Sequence, residues 1–129
     1  MFVAIIGVGL VGAGVFATDP VNGYPPGAST AQTTTGSLHG LLSLLVFFGL
    51  PIACGIARYR FAKARRTGWA IYSGLTGTAF LVCFVLAGVG FSGENQALVQ
   101  IGGLMQRVTI FIGFAWLAAI AVERLKRTR

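Results

Sequence analysis

The sequence predicts an all-α, polytopic integral membrane protein: four transmembrane helices in an up-down bundle, with both termini cytoplasmic. Three observations predict it. Of 129 residues, 55% are hydrophobic and only 10% charged, against about a quarter charged in an average soluble domain. The apolar residues fall into four long runs separated by short polar stretches, without the alternation of a membrane β-barrel. The basic residues are clustered: Arg58, Arg60, Lys63, Arg65 and Arg66 form one group, and Arg124, Lys126, Arg127 and Arg129 another. Both groups flank apolar runs, which is the positive-inside distribution. The formal charge of +7 is therefore assigned to contact with anionic lipid head groups, and nucleic acid is not expected as a partner. A chain this long makes one domain, residues 1–129.

Residues 1–17 are apolar throughout and carry Gly7, Gly9, Gly12 and Gly14. The Gly7-Val-Gly9-Leu-Val-Gly12 spacing imitates a dinucleotide-binding fingerprint. That fingerprint needs a strand before it, a long helix after it and a second strand with an acid, whereas Asp19-Pro20 breaks the run first. A signal peptide would start with a positive charge and end at a small-x-small cleavage site, and neither is evident. The reading is a first span whose glycines pack closely against another helix. Residues 18–37 hold Pro20, Pro25, Pro26, Asn22 and no Lys or Arg, and form an outer loop. Thr33, Thr34, Thr35 and Ser37 supply hydroxyls to cap the helix that follows.

The second span is 38–57, with His39 at its outer end and Pro51 inside, where a kink is expected near Phe47. Residues 58–68 are the basic inner loop. The third span is 69–91, opened by Trp69 and Tyr72 at the interface. Residues 92–100 form an outer loop with Glu94. The fourth span, 101–122, is interrupted by Gln106 and Arg107, and 123–129 is a basic tail. Cys54 and Cys83 sit at different depths in antiparallel helices and read as packing residues. Their separation of roughly 10 Å along the membrane normal is too long for a disulfide.

Asp19, His39, Glu94 and Arg107 all fall on the outer side, at the ends of four consecutive helices, with Gln106 alongside. This polar cluster, Asp19, His39, Glu94, Gln106 and Arg107, is the candidate site. Arg107 within a span costs roughly 2.5–3.5 kcal/mol at mid-membrane, less if it snorkels or pairs with Asp19 or Glu94. Asp19 also reads as a turn opener before Pro20, and His39 as a helix-end residue bonded to loop backbone. A metal site normally shows several ligands at fixed spacing, and that spacing is missing. A His/Asp pair could activate Ser37, Ser43 or Ser92, yet no nucleophile motif marks one. No metal, cofactor or catalytic residue is assigned.

At these residues the chain resembles a family. Gly12-Ala-Gly-Val-Phe16-Ala-Thr-Asp19-Pro20, then Gly36-Ser-Leu-His39, then Gly103-Leu-Met-Gln106-Arg107, then Trp116 and a basic tail look like the uncharacterised prokaryotic membrane proteins of the domain of unknown function 998, distantly similar to Frag1/DRAM-type proteins. The match falls on Phe16, Asp19, His39, Gln106 and Arg107. Family members usually carry about two further helices before the segment equivalent to residues 1–17, so the resemblance implies a shortened form, a start at the wrong methionine, or a bundle completed by a partner. The resemblance implies a fold and candidate positions but no reaction.

The function expected is that of a small, non-catalytic integral protein of the bacterial inner membrane. It would be an accessory subunit packing against other membrane helices or against itself, with membrane lipids as further partners. The alternative is a lipid- or small-molecule-binding protein, hydrolytic in one version, that uses the outer polar cluster.

Overall fold

A computed structural model describes residues 2–22, 24, 26–29 and 31–127. Met1 and the expected head-group residue Arg129 lie outside the described residues. The chain forms four helices: α1, Phe2–Val15; α2, Thr34–Lys63; α3, Thr67–Ser92; and α4, Gln96–Arg127. Outside them the described residues contain one isolated bridge, Val21 to Tyr24. Three helices, α2, α3 and α4, are long and apolar enough to cross a membrane. α1 has 14 residues, a length of about 21 Å against a hydrocarbon core of about 30 Å. The chain divides into two compact units, Met1–Ala53 and Cys54–Arg129. The division falls inside α2, which continues through Pro51.

In the first unit the glycine run is helical throughout. It makes none of the strand-loop-helix turn that a dinucleotide fingerprint requires. Gly9 and Gly12 instead bring α1 against α2. A Cβ at Gly9 would meet the Leu42 carbonyl at 2.8 Å, and one at Gly12 would meet the Leu42 side chain at 2.6 Å. Ile6 seats over Gly49 in the same way, and Ile6, Val46, Phe47 and Leu50 are buried. Gly7 and Gly14 have open space where a side chain would be.

The second unit is built on α3 against α4. The buried positions of α3 are Ala70, Ser73, Thr76, Gly77, Phe80, Ala87 and Gly90, spaced mostly three and four apart, as one helix face requires. α4 answers with Gly102, Thr109, Gly113 and Trp116. Small residues let backbones approach: a Cβ at Gly90 would lie 2.8 Å from the Gly102 Cα and 2.5 Å from the Leu98 carbonyl oxygen. The buried polar atoms are satisfied. Trp116 Nε1 donates to Ser73 Oγ at 3.1 Å, and Thr76 and Thr109 turn their hydroxyls onto the Tyr72 and Met105 carbonyls at 2.8 Å. Cys54 and Cys83 are free thiols.

The helices outlast their apolar runs. α2 continues through Arg58, Arg60 and Lys63, and α4 through Arg127. The turns between helices shrink to Ala64–Arg66 and Gly93–Asn95. Arg and Lys are good helix formers, and their charge is favourable at a helix C-terminus. The end of the apolar run and the end of the helix are thus set by different forces. α2 ends where Arg65 turns left-handed, at φ 55°. Arg66 N–H then reaches the Phe61 carbonyl at 2.8 Å and Arg65 N–H the Ala62 carbonyl at 3.0 Å, the bond pair of a Schellman ending. The other turn uses Gly93, at φ 79°, and Asn95, whose Oδ1 accepts from the Ala97 and Leu98 amides.

Two outcomes follow from this geometry. Arg65→Gly should raise the thermal midpoint of the detergent-solubilised protein by an amount equivalent to about 0.5–1 kcal/mol, because glycine holds φ > 0 without penalty. Arg65→Ala should give no such gain, and equal gains would point to charge rather than backbone. Gly90→Val forces a Cβ onto α4 backbone and should cost about 1–3 kcal/mol, read as a lower midpoint.

Candidate functional site

Asp19 and His39 belong to the first compact unit, and Glu94, Gln106 and Arg107 to the second. In the first unit both side chains work on helix ends. A helix leaves its first amides and last carbonyls without partners. Thr33 precedes α2, and its Oγ1 accepts from the Gly36 amide at 3.0 Å. The expected hydroxyl cap is therefore supplied by Thr33. Asp19 sits behind it: its Oδ1 accepts from Thr33 Oγ1 at 2.6 Å and its Oδ2 from the Thr33 amide at 3.0 Å. A carboxylate here also faces the positive end of the α2 dipole. Gly36 makes room for it, since a Cβ at 36 would lie 2.1 Å from the carboxylate.

His39 performs the complementary task. Its Nδ1 lies 2.9 Å from the Ala13 carbonyl oxygen and 2.8 Å from that of Phe16. Carbonyls only accept, so Nδ1 carries the hydrogen and shares it between them. These carbonyls are in and just past the last turn of α1. The loop thus caps α2 through Asp19 while α2 caps α1 through His39. Phe16, Asp19 and His39, three positions of the sequence motif, lie in one clasp.

In the second unit Glu94 is exposed in the turn between Gly93 and Asn95. Gln106 is half-buried and Arg107 exposed on α4. No ion pair joins Glu94 to Arg107. The ion pairs among the described residues of this unit are Arg66–Glu123 at 2.5 Å and Arg127–Glu123 at 3.0 Å. They lie in the last turns of α4, well beyond Arg107, and gather part of the basic clusters around one acid. Arg66 is further held over the rings of Phe61 and Trp69, at 5.2 and 5.9 Å from their centroids. Arg58 departs from the group: its stem lies against α3 at Gly74. Sequence reasoning left Glu123 out of the candidates. The signal was available, since Glu123 is the single acid beside Arg124, Lys126, Arg127 and Arg129. Among the described residues, no three His, Cys, Asp or Glu side chains gather as a metal site would need.

The Asp19 carboxyl is held below its ordinary value of about 3.9, first by the Thr33 hydroxyl and then by the Thr33 amide. A depressed folded-state value contributes stability above the ordinary value and loses it as pH falls through the lower one. The thermal midpoint should therefore decline below about pH 4, and Asp19→Asn should flatten that decline while lowering the midpoint at neutral pH. His39→Leu strands two carbonyls and should cost about 1–3 kcal/mol. His39→Asn, which keeps a donor near the same place, should cost less, and equal losses would exclude the capping role.

A family model described as "Protein of unknown function (DUF998)" matches residues 1–123. No curated protein and no solved structure matches the chain.

Proposed function

We propose, from the premise that this chain belongs to the DUF998 family, that it is a small non-catalytic protein of the prokaryotic cytoplasmic membrane. It crosses the bilayer four times with both ends cytoplasmic, the bilayer thinning locally around the 14-residue α1, and serves as an accessory subunit packed against other membrane helices or a second copy. One observation carries this reading. The polar side chains that a membrane enzyme would use, Asp19 and His39, are occupied in capping α2 and α1. The packing surface is the outward face of α1. Gly7 and Gly14 lie two turns apart on it, with open space at each, and Val11 between them is 70% exposed. Glycine gains little against lipid but allows a second helix to approach closely.

Purification in mild detergent tests it. The protein should co-migrate with a partner or with itself, and Gly7→Ile/Gly14→Ile should release it without unfolding it, because a Cβ at either position has no atom within 4 Å. A lone monomer in native-lipid discs would overturn the reading.

A second reading takes the outer polar residues of the second unit, with Arg107 foremost, as a lipid or small-molecule site. It is favoured by Arg107, which is exposed on an apolar helix without an ion pair among the described residues. Arg107→Ala should then abolish ligand retention at normal expression. If the variant instead fails to assemble, Arg107 is structural.

A further inference from the structure

The basic end of the second unit is not a uniform charged surface. Four arginines, Arg60, Arg66, Arg124 and Arg127, surround a hollow of about 250 Å³ that also contains Glu123. Arg66 and Arg127 are committed to Glu123, and Arg66 is fixed over Phe61 and Trp69. Arg60 and Arg124 have no ion-pair partner among the described residues. One carboxylate against four guanidinium groups leaves three positive charges on one small concavity. Lysine is absent from this lining, although Lys63 and Lys126 lie close by in sequence. Guanidinium is the group that meets a phosphate with two parallel bonds, which ammonium does not.

The other walls are apolar: Ala57, Phe61 and Ile120, at the ends of helices long and apolar enough to cross a membrane. A hollow of this size lies below the roughly 300–1,000 Å³ of pockets for drug-sized ligands. It suits a phosphate head group rather than a nucleotide.

We propose that this hollow binds a phosphate-bearing anion, held by Arg60 and Arg124 while Glu123 keeps Arg66 and Arg127 in place. The inference does not depend on an accessory role for the protein. Two sources share the chemistry: the head group of an anionic phospholipid, and a free phosphate or small phosphomonoester.

The test uses the full chain in discs of phosphatidylcholine, with or without phosphatidylglycerol as a minor component. Lipid retention is read by native mass spectrometry, and Trp69 emission, beside Arg66, is read during titration with inorganic phosphate or glycerol 3-phosphate. Wild type should retain phosphatidylglycerol over phosphatidylcholine. Arg60→Gln/Arg124→Gln should cut that retention about tenfold or more, given two lost charge-assisted bonds. Lys63→Gln/Lys126→Gln removes equal charge outside the lining and should change it less than about twofold. Arg60→Lys/Arg124→Lys keeps the charge, loses the fork and should fall between, which covers the case in which the glutamine pair fails to fold. Saturable change in Trp69 emission with the soluble phosphates, without lipid selectivity, would keep the site and assign it the soluble source. Equal losses in the two glutamine pairs, full retention in the lysine pair, or no response of wild type to either source would overturn the proposal.

Discussion

Every helix must end, and each end strands backbone groups that have no partner within the helix. In a chain with only 10% charged residues there is little polar side-chain material to meet that demand, and several of the polar side chains near the ends are used for it. Thr33 and Asp19 serve the start of α2, His39 the end of α1, and Asn95 the start of α4. Where side chains are lacking, the backbone folds back on itself, with Arg65 and Gly93 in left-handed conformation. Inside the α3–α4 pair the same demand acts on side chains: Ser73, Thr76, Thr109 and Trp116 are buried and each has a hydrogen bond.

The two acids that hold partners, Asp19 and Glu123, differ in kind. The charge of Asp19 is met by a hydroxyl and an amide and by a helix dipole. Glu123 is surrounded by excess charge of the opposite sign and organises two arginines without balancing four. Excess charge held in a fixed concavity differs from a solvated tail, because the entropy of gathering the side chains has already been spent.

The all-α class and the four helices were legible in the sequence because each apolar run is long and bounded by Pro, Gly or charge. The limits were less so. The runs 38–57 and 101–122 mark where apolar residues stop, yet α2 reaches Lys63 and α4 reaches Arg127, since a basic residue ends a hydrophobic run without ending a helix. The hydroxyl cap of α2 was readable from Thr33 to Ser37, but the bond from Asp19 joins residues with a whole loop between them, and no local pattern encodes it. His39 was readable as a helix-end residue bonded to backbone; that the carbonyls belong to α1 required coordinates. The bond from Trp116 to Ser73 had one sequence signal, that a buried indole N–H seeks an acceptor, and nothing to choose Ser73 among the serines.

Gly90 and Gly102 lie on either side of the short turn from Gly93 to Asn95, and their backbones are in near contact. Closing so small a loop loses little chain entropy, and contacts between near neighbours in sequence form fastest. The α3–α4 hairpin therefore has a short kinetic route: it can zip from its turn toward Trp116 and Ser73, with register set at the first step. A sequence whose polar interior bonds lie farther along the same pair is thereby protected from settling one turn out of alignment.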